Sequence, residues 1–263
     1  MAFEDELKEL YDLARRALVC QAELGHKEII FEARAASAPL RPASAMTASS
    51  EKEFTTDPAD QLSLLATEQP ALQAPQFKDL SEHHLAICDC TKCPLGFTRT
   101  NFVYGVGNPD AKIMFIGEAP GFEEDRQGEP FVGRAGKLLD KIIEAMGLRR
   151  QDVYIANILK CRPPENRDPQ PDEMKACLPY LIEQIRLIKP RFICALGRIA
   201  AHGLLETNAP LGQLRGKWHR FQGIPVIVTY HPAALLRFAQ YKRPTWEDMQ
   251  KLMAEYGRLD QNR

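Results

Sequence analysis

Residues 112–121 read KIMFIGEAPG. The first six form a short apolar run that ends in glycine, which suits a buried strand of a parallel sheet. Working outward, residues 153–158 (VYIANI), 192–197 (FICALG) and 224–229 (IPVIVT) have the same texture. Between them lie segments of helical spacing. Residues 133–146 place Leu138, Leu139, Ile142, Ile143 and Met146 on one face. Residues 171–188 open with a proline, as helices tolerate at their first position. Residues 198–205 and 245–256 follow as helices, the last with Thr245 as its expected cap. Residues 78–88 are expected to form a short helix leading into the first cysteines. Strands alternating with helices predict an α/β fold, a three-layer α/β/α sandwich around a four-stranded, mostly parallel sheet. Such sheets bind ligands at the carboxyl ends of their strands.

Upstream the texture differs. Leu7, Leu10, Tyr11, Leu13, Ala14, Ala17 and Leu18 fall at helical spacing, so residues 1–33 are expected as an N-terminal helical segment. Residues 34–76 are rich in Ala, Ser, Thr and Pro without periodicity, which predicts a disordered linker. The ordered domain is then 77–263. Residues 1–77 hold 7 Lys and Arg against 13 Asp and Glu, a charge of −6. Residues 78–263 hold 27 against 22, a charge of +5. A mildly basic body permits a polyanion partner, whereas the acidic head is poorly suited to bind DNA itself. No run of about 18 apolar residues occurs, which excludes a transmembrane helix. The acidic start MAFEDELKEL lacks an apolar secretory segment, so the expectation is a cytoplasmic protein with no membrane partner.

Seven cysteines in such a chain do not make a disulfide framework, since the count is odd and a reducing compartment disfavours disulfides. Cys90 and Cys93 form a CxxC. Cys161 follows the second strand, and Cys177 lies in the next helix, across a polar, Pro-rich connection that can loop back. Four thiolates converging from two segments fit an iron–sulfur cluster or a structural zinc. Cys88 is a nearby competitor. Cys194, in a strand, and Cys20, on the head helix, are expected to pack as small hydrophobes.

Three strand ends and one glycine-rich loop carry unusual residues. After the first comes GEAPGFEED (117–125), a sharp turn followed by acids; read locally, it is a solvated acidic turn. Phe131 sits between glycines in GEPFVGRAG (128–136). Asn157 ends the second strand. His231 opens HPAALLR (231–237) after the fourth.

Taken together and in order, GEAPGFEED, PFVGRAGKLLD, YIANILKCRPP, the CxxC and HPAALLR resemble a family 4 uracil-DNA glycosylase, the iron–sulfur branch of the uracil-DNA glycosylase superfamily. The resemblance covers roughly residues 85–256. It implies a base-excision repair enzyme that flips uracil out of single- or double-stranded DNA and hydrolyses its N-glycosidic bond. It also implies roles. Phe131 stacks on uracil, Asn157 reads its Watson–Crick edge, and the Ala119 backbone bonds the base. Glu124 lies beside C5, and His231 bonds O2 of the leaving base. Where a better-known branch has a water-positioning aspartate, this chain has Ala119. The neighbouring Glu118 is therefore the expected positioner of water or stabiliser of the sugar cation. The loop 232–236, with Pro232, Leu235 and Leu236, is expected to wedge into the duplex, with Arg237 on a phosphate. Cys90, Cys93, Cys161 and Cys177 match the ligands of a [4Fe–4S] cluster, whose role is read as structural, bracing residues 162–172. A subgroup that bonds covalently to the abasic sugar has a histidine-bearing loop after the second strand. The sequence here, RPPENRDPQ, has none, which favours turnover. The competing readings are a non-catalytic iron–sulfur DNA-binding module and a zinc-stabilised enzyme acting on a small nucleotide. A monomer is expected, with the N-terminal segment as a tether for a protein partner. Deleting residues 1–76 is expected to leave cleavage of a uracil-bearing oligonucleotide nearly intact. A loss beyond about tenfold, ~1.4 kcal/mol, would place the head in the catalytic unit.

Overall fold

The computed structural model describes residues 76–261. The helical segment expected at 1–33, Cys20 with it, and the linker up to residue 75 lie outside the described residues. The described chain forms one six-stranded sheet: β1 (Val106–Gly107), β2 (Ile113–Gly117), β3 (Tyr154–Asn157), β4 (Phe192–Leu196), β5 (Trp218–Phe221) and β6 (Ile224–Thr229), in the order β1-β3-β2-β4-β6-β5. The four central strands are the four expected from the sequence, and all their pairings are parallel. The expected strand count is corrected from four to six by two short antiparallel edges. β1 has only two residues, too few to show any period. β5 reaches β6 through a tight turn at Gln222 and Gly223, both with positive φ (48° and 84°), the geometry of a two-residue hairpin. Both strands cap an otherwise open edge.

The helices are α1 (Leu80–Ile87), α2 (Phe122–Gln127), α3 (Arg134–Ala145), α4 (Pro171–Ile188), α5 (Arg198–Leu205), α6 (Leu211–Leu214), α7 (Pro232–Arg237) and α8 (Lys242–Gln261). Strand side chains alternate between faces, and the two cores follow that alternation. Met114, Ile116, Ala156, Ile193, Ala195, Val226 and Val228 pack with Leu181 and Ile185 of α4 and Ala200 and Leu204 of α5. Ile113, Phe115, Ile155, Cys194 and Ile227 pack with Leu139 and Ile143 of α3 and Met249 and Leu252 of α8. Helices on both faces make the three layers, and Cys194 is core as expected. Among the described residues no helix is long and apolar enough to cross a membrane.

One boundary is corrected. Thr245 does not cap the last helix, which begins three residues earlier. Its hydroxyl instead donates to the Tyr241 carbonyl at 2.8 Å, a bond back to the preceding turn. The parallel register brings Gly117 beside Asn157, and Leu196 beside Thr229. The chain segments singled out at strand ends therefore gather at one edge of the sheet.

Candidate active site

A cleft of about 440 Å³ opens at the carboxyl ends of the parallel strands. Glu118, Ala119, Glu124, Phe131, Asn157, His231 and Arg237 all line it, together with Asn166, Arg167, Asp168 and Phe238. Asn157 is buried at the end of β3, and its Oδ1 has no hydrogen-bond partner. A buried acceptor without a partner is costly and points to an absent donor. Gly117, alongside it, has no side chain to spare: a β-carbon there would overlap both Asn157 Oδ1 and the ring edge of Phe131.

Phe131 is buried and holds φ at +54°, a region that non-glycine residues rarely occupy. Its surroundings fix it there. Arg150 donates to the carbonyls of both Phe131 and Pro130 and pairs with Asp140 of α3 at 2.9 Å. Gly136, in the first turn of α3, leaves room for the Phe131 carbonyl, which any β-carbon would strike.

The acidic stretch 123–125 is not the solvated turn that its local sequence suggests. It forms α2, and two of its carboxylates are structural. Glu124 accepts from the amides of Gly121 (3.1 Å), Val132 (3.0 Å) and Gly133 (2.9 Å). Asp125 is buried and accepts from Thr100 and Asn101. Glu124 lines the cleft, but its oxygens are committed to the turn that carries Phe131. It shapes the wall and is not a free hydrogen-bonding group for a ligand.

His231 faces Phe131, with ring centroids 5.6 Å apart. It caps α7, its Nδ1 accepting from the Ala233 amide at 3.2 Å. An amide can only donate, so the neutral ring must carry its proton on Nε2. Burial lowers the imidazole pKa to about 4, with Glu124 opposing and Arg237 reinforcing the shift. The ring is therefore neutral at physiological pH and presents a fixed Nε2–H donor. The end of β6 just before this segment is anchored too. Thr229 donates to the buried Asp248 at 2.8 Å, and Arg215 pairs with that carboxylate at 2.8 Å.

Residues 232–237 are a helix, not the apolar loop expected. Pro232 and Leu235 are buried, Leu235 only 3% exposed, so the expected wedge of residues 232–236 narrows to its outer face. Leu236 is 43% exposed and Arg237 lies on the cleft. Phe238, which the sequence reading did not single out, is 47% exposed beside them. It leans edge-on against Tyr241, which stacks on Tyr230 at 4.1 Å.

Glu118 follows β2 directly. Burial raises its pKa to about 7, and the nearby Asp168 adds to the rise while Arg198 opposes it. Asp168 and Arg198 pair at 2.6 Å. Neither was legible as a neighbour of Glu118, because one comes from the loop after β3 and the other from the start of α5. A carboxyl with a pKa near 7 is poised to exchange protons at neutral pH.

Away from the residues that line the cleft, Cys161 and Cys177 are buried, and Cys90 and Cys93 are half-buried. The thiols influence one another's ionisation, so they share one neighbourhood. Donors already face the sulfurs. Arg99 reaches Cys161 Sγ at 3.4 Å, the Lys160 amide reaches Cys177 Sγ at 3.3 Å, and the Tyr180 hydroxyl reaches Cys90 Sγ at 3.1 Å. Burial raises the Cys161 thiol above its ordinary pKa and pushes Cys177 up to about 12. Thiolates there need a cationic group to bind, and the donors supply the outer hydrogen bonds that cluster sulfurs receive. The four thiols and the donors around them suit such a group chemically, although among the described residues no three Cys, His, Asp or Glu side chains stand close enough to hold a single metal ion.

The fold and cleft define an α/β protein whose pocket sets an aromatic ring, Phe131, near a buried amide and an imidazole. Residues 104–250 match the family described as the uracil DNA glycosylase superfamily, and the chain belongs to it. It is 46% identical over 174 residues to a type-4 uracil-DNA glycosylase of Archaeoglobus fulgidus, covering 63% of this chain and 87% of that protein. It is 49% identical over 167 residues to one of Pyrobaculum aerophilum, covering 60% and 85%. A type-5 uracil-DNA glycosylase of Thermus thermophilus is 36% identical over 118 residues, covering 39% and 53%.

The Glu118 environment is open to a direct check. By carboxyl NMR, Glu118 is expected to titrate near pH 7. Asp168→Asn removes a like charge and releases Arg198, so both effects move that titration down. An unchanged titration would contradict the geometry.

Proposed function

We infer that this chain is a uracil-DNA glycosylase, a DNA-repair hydrolase that leaves an abasic site. One observation carries the reading: Asn157, whose buried Oδ1 has no partner, lines the same cleft as the Phe131 ring and His231.

A base in duplex DNA is stacked and paired, so it must be flipped to enter such a pocket. There Phe131 stacks on the ring. Asn157 Oδ1 accepts from uracil N3–H, and its Nδ2 donates to O4. Cytosine presents a bare N3 and an amino group, so the same amide mismatches twice. Sites whose buried polar groups are left unpaired by the wrong ligand discriminate by up to ~10⁴–10⁵. The Ala119 backbone, which lines the cleft, bonds the base as well.

The C1′–N1 bond then breaks, with its electron pair leaving on uracil and cation character growing on the sugar. His231 donates to O2, where the negative charge collects. A neutral donor suffices, and its geometry is set before the reaction starts. Glu118, ionised above about pH 7, holds water at C1′ and takes its proton as the new C–O bond forms. Ala119 has no group for this task. Leu236 and Phe238 fill the space that the base leaves, and Arg237 meets a phosphate.

Cys90, Cys93, Cys161 and Cys177 would hold a [4Fe–4S] cluster. When bound it supplies a structural brace, since the hydrolysis transfers no electrons. The brace acts on residues 162–172, from which Pro163, Asn166, Arg167 and Asp168 reach the cleft. The reading includes action as a monomer in the cytoplasm, on DNA. A non-catalytic DNA-binding module would have no use for the vacant Asn157 acceptor or the fixed His231 tautomer and is not favoured.

The test is alkali-revealed strand cleavage of an oligonucleotide carrying one uracil. Wild type is expected to cleave, and Asn157→Ala and His231→Ala to lose about 10²-fold or more in single-turnover rate. The wild-type rate is expected to rise with pH through about 7, since Glu118 must be ionised, and Glu118→Gln to remove that rise. No cleavage by iron-loaded wild type would overturn the reading.

A further inference from the structure

Lys160 is fully buried, and the reaction as derived makes no use of it. It stands in sequence between the uracil reader and the cysteine site, three residues after Asn157 and one before Cys161. It also joins them in space. Its ammonium donates to the main-chain carbonyl of Asn157 at 3.0 Å and to Gln184 Oε1 at 2.6 Å. Its own amide donates to Cys177 Sγ at 3.3 Å. Gln184 is equally buried and fixed in turn, its Nε2 donating to the Tyr104 carbonyl at 2.9 Å.

Among the described ion pairs none includes Lys160. Both partners of its ammonium are neutral oxygens. A buried cation without a counter-charge is strongly disfavoured. The nearest source of negative charge is the four-cysteine site, and an iron–sulfur cluster held by four thiolates carries net negative charge. The Asn157 carbonyl, for its part, lies at the last residue of β3. A charge-assisted hydrogen bond there fixes the backbone from which the reading amide projects.

We propose that Lys160 is a positioning residue that couples the two sites: the charge of the loaded cysteine site holds its ammonium in place, and that ammonium fixes the Asn157 backbone in the geometry that reads uracil. The inference rests on the uracil-glycosylase reading and on a cluster at the four cysteines. It gives the cluster a second action besides bracing residues 162–172. Lys160 touches no substrate. It acts through Asn157 on one side and through charge on the other.

Two substitutions separate these effects. Lys160→Met keeps the length of the side chain and removes the charge. Gln184→Met keeps the charge and removes one of its two acceptors. Each is prepared iron-loaded in the full chain. Three quantities are measured: absorbance near 400 nm per protein, the reduction potential of the cluster, and single-turnover excision of uracil with its preference over cytosine. For Lys160→Met we expect a potential more negative than wild type, because a nearby positive charge favours the reduced cluster. We also expect excision lowered by about tenfold or more and a narrower preference for uracil. For Gln184→Met we expect lowered excision at an unchanged potential, which keeps the proposal testable if Lys160→Met fails to fold or load. Excision within twofold of wild type in either loaded variant would overturn the proposal. An unmoved potential in Lys160→Met would do so too, since a purely structural lysine predicts that result. Failure of the wild type itself to excise uracil would instead overturn the functional reading beneath it.

Discussion

At Gly117 the end of β2 passes so close to Asn157 Oδ1 and the Phe131 ring that a β-carbon would overlap both. The whole pocket is arranged around that gap. On one side the parallel register sets Asn157 beside Gly117, which fixes the depth of the amide. On the other, Phe131 adopts a left-handed backbone conformation so that its ring can lean over the same point. A conformation of this kind costs about 1–3 kcal/mol, and the surroundings impose it. Arg150 holds the carbonyl, Gly136 makes room for it, and Glu124 ties down the amides that follow. His231 completes the enclosure from the end of β6, its approach kept open by Gly197, where a β-carbon would crowd that of His231.

Three carboxylates of one short segment show how position divides their labour. Glu118 is half-buried, with Asp168 near it, and its pKa rises to about 7. Glu124 spends its oxygens on three amides, and Asp125 on two. Glu118 is left to handle a proton near neutrality. The histidine goes the other way. Burial keeps it uncharged, so it can donate to a developing anion without first holding a charge of its own. In the proposed reaction the carboxyl handles a proton and the histidine donates to a base that departs as an anion.

The layered fold was legible because buried parallel strands are short apolar runs and the helices between them keep their period. Residues 171–188 and 198–205 coincide with α4 and α5. The edge strands were not legible. β1 is too short to carry a pattern, and β5 is a half-exposed run that only the turn at Gln222 and Gly223 betrays. Glu118, Asn157 and His231 stood out because they lie at or just after strand ends, where side chains meet regardless of distance along the chain, and the site roles, those of Phe131 and Glu124 included, came from the family resemblance. What holds them was hidden. Arg150, Asp168, Arg198 and Lys160 act through contacts between segments far apart in sequence, and nothing local marks an arginine as a clamp for a strained carbonyl. The apolar stretch 232–236 misled for a related reason. Its composition suggested exposure on a loop, but one turn of helix buries Leu235 and leaves Leu236 outside.

The dependence of the pocket on the gap at Gly117 is best tested by Gly117→Ala, followed by thermal unfolding and single-turnover excision of uracil from an oligonucleotide. The added methyl meets the ends of two side chains that can shift, so the chain should still fold and unfold cooperatively. Excision should fall by at least about 10²-fold, as expected when aligned groups are displaced by roughly an ångström. A folded Gly117→Ala protein that excises uracil within twofold of wild type would contradict this account of the site.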